Sequence, residues 1–363
     1  MDDRVRMHAE LLVDHCTDVS ADDNVLIRAP TQAEELVVAL YEQLGERGAR
    51  PTTSWLNSRA SRAYNREMDS EDYRTKDHDL AAMKETDVVI LVGGLRNAAE
   101  MSDVDPEKRA AAGRARQPIL EERLDKRWVI TKHPTAADAQ KAEMSTEGWK
   151  EFVYGAMDRD WEAQRERQEQ LVEILDPASE VRVVSGETDL RMSIDGMETL
   201  NDYGTGNMPG GEVATSPVVD SVEGTLFVDV PFRESGREVH DARLEFEEGE
   251  VVEFDAGRNE DVLERLLETD AGARRVGELG VGMNRGIDRL SHNMLFDEKM
   301  GDTVHVALGE AMDECVPDDR EFNESSRHVD VLVDVSENSF IEVDGEVIQR
   351  DGVFRFEEGF ERA

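Results

Sequence analysis

Two rhythms of apolar spacing meet near Asp176-Pro177, and together they restrict what this chain can fold into. Before that point, short apolar runs of strand length alternate with stretches at helical spacing. Residues 24–29, 50–55, 87–92 and 128–131 read as strands. Between the first two, Leu36, Val37, Leu40 and Leu44 share one face of a helix that Gly48 ends. A further helix is expected over residues 106–125, an amphipathic one over residues 1–20, and an almost wholly helical pattern over 134–175. Strand–helix alternation of this kind predicts an α/β domain with a doubly wound, largely parallel sheet. After Pro177 the chain is sheet-dominated. Residues 181–184, 190–194, 224–230, 242–246, 249–254, 330–335 and 340–343 read as strands, with one helix over 259–269 and a hairpin turn at Asp344-Gly345. This half is expected to be a mixed, mainly antiparallel α+β domain. With 363 residues the chain is long enough for two domains, 1–177 and 178–363.

Charge narrows the setting. Asp and Glu number 83 against 42 Lys and Arg, a formal net charge of -41, and the acids run along the whole chain rather than forming a tail. Apolar runs such as Val88 to Val92 argue for a folded protein rather than a disordered one. The composition fits a protein adapted to high salt, where a Debye length of about 3 Å at 1 M screens like-charge repulsion. So much negative charge also argues against nucleic acid or an anionic membrane as partner. Cys16 and Cys315 form no CxxC pattern, and no apolar stretch approaches membrane-spanning length. A cytoplasmic protein with reduced thiols is expected.

Nucleotide motifs are missing. Gly93-Gly94 follows a strand but lies in no GxGxxG or GxxxxGK[ST] pattern, and a tight turn accounts for it. The Gly204 and Gly206 pair has the wrong spacing, and Pro209 removes a backbone donor. No organic cofactor is expected.

Four segments after residue 200 carry chemistry instead. In the first, Thr303, His305 and Ala307 alternate with Val304, Val306 and Leu308, so a strand would have one apolar face and one face presenting an imidazole. In the second, Glu212 directly follows the glycine pair of an irregular loop containing Pro209. In the third, Glu278 sits in a glycine-rich turn spanning 277–286. In the fourth, His328 and Asp330 stand two apart at the start of a strand and share a face. Taken singly, a Glu among glycines in so acidic a chain is most simply a solvated carboxylate. Taken together, three carboxylates and two imidazoles form a donor set for zinc, cobalt or manganese. Five donors are too many for one catalytic zinc with an open position, and they suit two ions sharing a bridging carboxylate.

The order NMPGGEV at 207–213, GELGVGMN at 277–284, FDEKMGDTVHVALG at 296–309 and HVD at 328–330 resembles the M29 metallo-aminopeptidases, the aminopeptidase T and aminopeptidase S group. The resemblance implies a dinuclear metal site liganded by Glu212, Glu278, His305, His328 and Asp330. It also implies peptide substrates with a free N-terminus and a homodimer with an enclosed active site. One departure stands out. The family's catalytic tyrosine, three residues beyond the glycine of the HxALG motif, is replaced by Met312, and a thioether cannot donate a hydrogen bond. Two readings follow: an active aminopeptidase, or a paralogue that keeps the metal site with weak or lost hydrolysis. No general base is assigned, with Glu298 as the candidate beside the His305 strand. A nucleotide- or sugar-binding protein ranks last, because it leaves the five donors unexplained.

Overall fold

A computed structural model describes residues 1–361, and its contacts divide the chain into two compact units. The first comprises Met1–Asp158 with Gly204–Gly210, and the second comprises Arg159–Tyr203 with the residues from Gly211 onward.

The first unit is built on a five-stranded parallel sheet. Its order is Arg50–Leu56, Asn24–Pro30, Val88–Gly93, Arg127–Lys132 and the short Asn207–Met208. Val88, Val89 and Ile90 are all buried, as a strand covered on both faces requires. On one face Met83 and Ile119, from the helices Asp77–Lys84 and Pro106–Leu124, pack with Val89, Leu26, Leu91 and Trp128. Side chains satisfy orphan amides at the starts of the helices Ser58–Glu67 and Pro106–Leu124. The Asn57 side chain accepts from the Arg59 and Ala60 amides, and Asp105 accepts from that of Glu107 beside Pro106. Gly48, at φ +77°, ends the helix Glu34–Arg47 in the left-handed region. The last strand of this sheet was not legible in advance, because it comes from the short segment 204–210 that the chain inserts late.

The second unit holds a nine-stranded sheet and a five-stranded one. In the larger sheet the hairpin Ser339–Val343 and Glu346–Arg350 turns at Asp344 and Gly345, both at positive φ as a two-residue turn of this hand requires. The smaller sheet runs in the order His328–Asp334, Thr303–Gly309, Val276–Gly282, Glu212–Thr215 and Thr199–Asp202, antiparallel throughout. Val304, Val306, Leu279, Val281 and Val213 from this sheet share one core with Leu171, Val172 and Leu175 of the helix Trp161–Leu175. That packing assigns the helix to the second unit, so the division falls between Asp158 and Arg159, one helix before the residue 177 drawn from sequence. No helix among the described residues is long and apolar enough to cross a membrane.

Candidate metal centre

The five-stranded sheet brings the five donor residues onto one face. His305 pairs with Gly280 on one side and Leu332 on the other, and Ala307 pairs with Glu278 and Asp330. Gly309 faces His328, and Gly282 faces Glu212. Directly opposed residues of an antiparallel pair project to the same side, so Glu212, Glu278, His305, His328 and Asp330 all point one way. Space for them comes from small neighbours. A Cβ on Gly280 would lie 2.0 Å from the His305 ring, so only glycine admits the imidazole there.

Glu212 and Glu278 were expected in a loop and a turn, and both lie on strands. Glu212 opens the buried strand Glu212–Thr215, and Glu278 sits within Val276–Gly282 next to a register shift between Val276 and Glu278. The glycines around Glu278 make room for neighbours, and they read as turn formers only because sequence cannot show what they face.

Glu278 is the hub of the cluster. Its Oε1 lies 3.1 Å from His305 Nε2 and its Oε2 lies 3.1 Å from His328 Nε2. Glu212 Oε2 stands 3.7 Å from His305 Nε2, and Asp330 Oδ1 stands 3.4 Å from His328 Nε2. One donor atom each from Glu278, His305 and Asp330 lies within 4.8 Å of the others. Glu212, Glu278 and His305 are buried, whereas His328 is exposed and Asp330 half-buried, so the cluster opens to one side.

The backbone orients both imidazoles. His305 Nδ1 donates to the Glu298 carbonyl at 3.0 Å, and His328 Nδ1 donates to the Glu310 carbonyl at 2.8 Å. Each bond turns the ring so that Nε2 faces the carboxylates. Burial opposes charge on both rings, but the neighbouring carboxylates win. His305 is pushed up to about 10 by Glu278, Glu212 and Asp330, and His328 to about 11 by Asp330 and Glu278. Burial likewise opposes ionisation of Glu278, and the two imidazoles still hold its carboxyl well below the usual range.

Lys299 was missed at the sequence level. It is the one lysine beyond Lys150, and it is fully buried. Its Nζ lies 2.9 Å from Glu212 Oε1 and 3.9 Å from Asp202 Oδ2, and it pairs closely with Glu298. Burial works against its charge, and Glu212, Glu298 and Asp202 raise it above the ordinary lysine value. Burial pushes the Glu298 carboxyl up to about 8 against the pull of Lys299, with Glu212 and Asp330 adding to the rise. Met312 lies two residues beyond the Glu310 carbonyl that holds His328, and its amide donates to Ser216 Oγ at 3.1 Å.

The donors fit divalent cations. Glu212 Oε2 is buried and accepts no hydrogen bond, both Nε2 atoms face carboxylates, and the set mixes oxygen and imidazole nitrogen.

Comparison with known proteins agrees in fold and family. The fold matches that of wild-type AmpT from Thermus thermophilus at a TM-score of 0.86, over 97% of this chain and 99% of that one, with 24% identity. An α/β two-domain architecture, with a parallel sheet in one unit and antiparallel sheets in the other, is therefore the class to which the chain belongs. Residues 1–356 match the family described as thermophilic metalloprotease (M29). The chain is 26% identical, over 396 aligned positions, to aminopeptidase 2 of Geobacillus stearothermophilus, covering 95% of this chain and 94% of that protein. It is 37% identical over 151 positions to aminopeptidase T of Thermus aquaticus, covering 38% of this chain and 36% of that one. The chain belongs to the M29 family of metallo-aminopeptidases, hydrolases acting on peptide bonds.

Proposed function

We propose that the chain removes N-terminal residues from peptides at a centre of two divalent cations held by Glu212, Glu278, His305, His328 and Asp330. The observation that carries this reading is Glu278, which offers one oxygen beside each imidazole. Glu212, Glu278 Oε1 and His305 make one group of donors, and Glu278 Oε2, His328 and Asp330 make the other. Zinc, cobalt or manganese bound there would polarise the scissile carbonyl and acidify water.

The chain's own residues do the rest. The Glu298 and Glu310 carbonyls hold the rings in place. Lys299 holds the Glu212 carboxylate and is not itself a free donor, because carboxylates surround it. Glu298, paired with Lys299 and with its carboxyl raised by burial, is the candidate for holding a proton during turnover. The surplus of negative charge suits a substrate's α-ammonium group. High salt is the working medium of so acidic a surface, and a second copy of the chain is the expected partner, as in the family resemblance.

Met312 favours a second reading, a family member whose hydrolysis is weakened by loss of an oxyanion donor. Removing one such donor typically costs about 10²–10³ in turnover. The experiment is elemental analysis of protein purified in molar KCl, followed by assay on aminoacyl p-nitroanilides with added Co²⁺, Zn²⁺ or Mn²⁺. Stoichiometric cation with turnover supports the aminopeptidase. Cation without turnover, together with turnover gained on Met312→Tyr, supports the weakened relative. Absence of stoichiometric cation refutes both.

A further inference from the structure

The helix Trp161–Leu175 turns a buried stripe toward the core: Trp161, Gln164, Gln168, Leu171, Val172 and Leu175. Two of these core positions are glutamines, which breaks the apolar pattern that a buried helix face otherwise follows. Gln168 is wholly buried and Gln164 nearly so. A buried amide is tolerated only where its hydrogen bonds are made, so the partners of this pair reveal its purpose.

Those partners converge on one end of the candidate centre. Gln168 Nε2 donates to the Glu212 carbonyl at 2.8 Å, to Asn201 Oδ1 at 2.7 Å and to the Asp202 carbonyl at 3.2 Å. Its Oε1 accepts from Gln164 Nε2 at 2.8 Å, and Gln164 Nε2 also donates to the Met283 carbonyl at 3.1 Å. Asp202 and Glu212 are register partners, and Glu212 in turn faces Gly282. The two amides, one helical turn apart, therefore fasten three strand ends. Two of those ends carry the carboxylates that flank Lys299, Asp202 and Glu212.

Resting on the ligand reading above, we infer that Gln168, oriented by Gln164, is a positioning residue for Glu212. It fixes the backbone from which the Glu212 carboxylate reaches toward His305 and Lys299. It touches neither substrate nor reacting atoms. Outer hydrogen-bond partners of metal ligands typically contribute 10–100-fold in cation affinity or activity, and this amide acts on the ligand through its main chain.

Gln168→Met keeps the length and helix preference of the side chain and deletes the donor. Gln164→Met leaves the bonds from Gln168 to the strands in place and removes the amide that orients it, together with the bond to the Met283 carbonyl. Each variant of the full chain is compared with wild type and with Glu212→Gln in molar KCl. Co²⁺ affinity is read by competition with a chelator, the visible absorption of bound Co²⁺ is recorded, and the melting temperature is measured. Gln168→Met is expected to weaken Co²⁺ binding by about 10–100-fold and to alter its spectrum, and Gln164→Met to do so by a smaller factor. Wild-type Co²⁺ affinity and spectrum in Gln168→Met overturn the inference, however far the melting temperature falls. If Gln168→Met does not fold, Gln164→Met decides, and unchanged binding there overturns it. Weakened binding in Glu212→Gln with none in the glutamine variants sinks this inference alone. Wild-type binding in Glu212→Gln, or no Co²⁺ in wild type, sinks the ligand reading and takes this inference with it.

Discussion

Glu278 turns one carboxylate oxygen to His305 and the other to His328, each 3.1 Å from an Nε2 atom. No other donor in the cluster touches both rings. The two groups of donors therefore share one residue, and removing it should have a different consequence from removing a donor at either end. Glu278→Gln is expected to abolish stoichiometric binding of both cations. Asp330→Asn, whose carboxylate stands 3.4 Å from His328 Nε2 and farther from His305, is expected to leave one. Elemental analysis of the two variants against wild type checks this, and one cation retained in Glu278→Gln would contradict it.

A second prediction concerns pH and lies far from the candidate centre. His8 is fully buried, with Nε2 2.7 Å from Thr131 Oγ1. Because that hydroxyl donates to the Met208 carbonyl, it must accept from His8 Nε2–H. His8 Nδ1 is buried and has no hydrogen-bond partner. Burial, aided by His133, pushes the imidazole down to about 3 from 6.5. The folded chain thus binds this proton later than the unfolded chain. Stability from His8 is complete above pH 6.5 and is lost as pH falls toward about 3, at up to about 1.4 kcal/mol per pH unit. His8→Leu is expected to flatten the slope of unfolding free energy between pH 6 and 4 relative to wild type, read by urea titration in constant KCl. Equal slopes in the two proteins would count against a buried neutral His8.

The alternation of strand and helix was legible because both periods are local, and so was the surface of the His305 strand. The settings of Glu212 and Glu278 were not. Gly277, Gly280 and Gly282 invite a turn, yet none adopts positive φ. A Cβ on them would strike, respectively, the Glu310 carbonyl at 2.1 Å, the His305 ring at 2.0 Å and the Met300 carbonyl at 2.1 Å. Clearance between strands distant in sequence cannot be read from a glycine count. The same holds for the helix Trp161–Leu175, whose periodicity is equally compatible with either domain. Its packing with Val213, Leu279 and Val304, together with the partners of Gln164 and Gln168, assigns it. Lys299 did leave a trace, as the single lysine after Lys150, although nothing local says that it is buried.

Salt dependence follows from the surface. Asp318, Asp319, Glu247 and Glu248 are exposed, and 83 acids against 42 bases leave 41 carboxylates in excess of the cations. Surface ion pairs such as Arg6 with Asp3 contribute little, and salt screens them further. The like-charge repulsion screened at the same time is the larger effect. The melting temperature is expected to rise steadily from dilute buffer to molar KCl. A melting temperature independent of KCl would show that the acidic surface carries no such penalty.

Lys299 offers the sharpest link between folding and cation binding. It is fully buried against Glu212, with Glu298 paired to it and Asp202 nearby. Removing one member of a buried charged group typically costs about 3–5 kcal/mol, because the remaining charges have lost their counter-ion. Lys299→Met would leave these carboxylates to be balanced by His305 and by whatever cation the centre holds. A ligand that binds only the folded state stabilises it in proportion to the logarithm of its concentration over its dissociation constant. The variant is therefore expected to melt well below wild type in EDTA and to recover a larger share of its stability than wild type on addition of Co²⁺ or Zn²⁺. Thermal denaturation of both proteins across a cation titration in constant KCl measures the difference. Parallel curves would mean that Lys299 neutralises the carboxylates independently of the cations. A steeper response in Lys299→Met would mean that the lysine and the cations compensate the same negative charge.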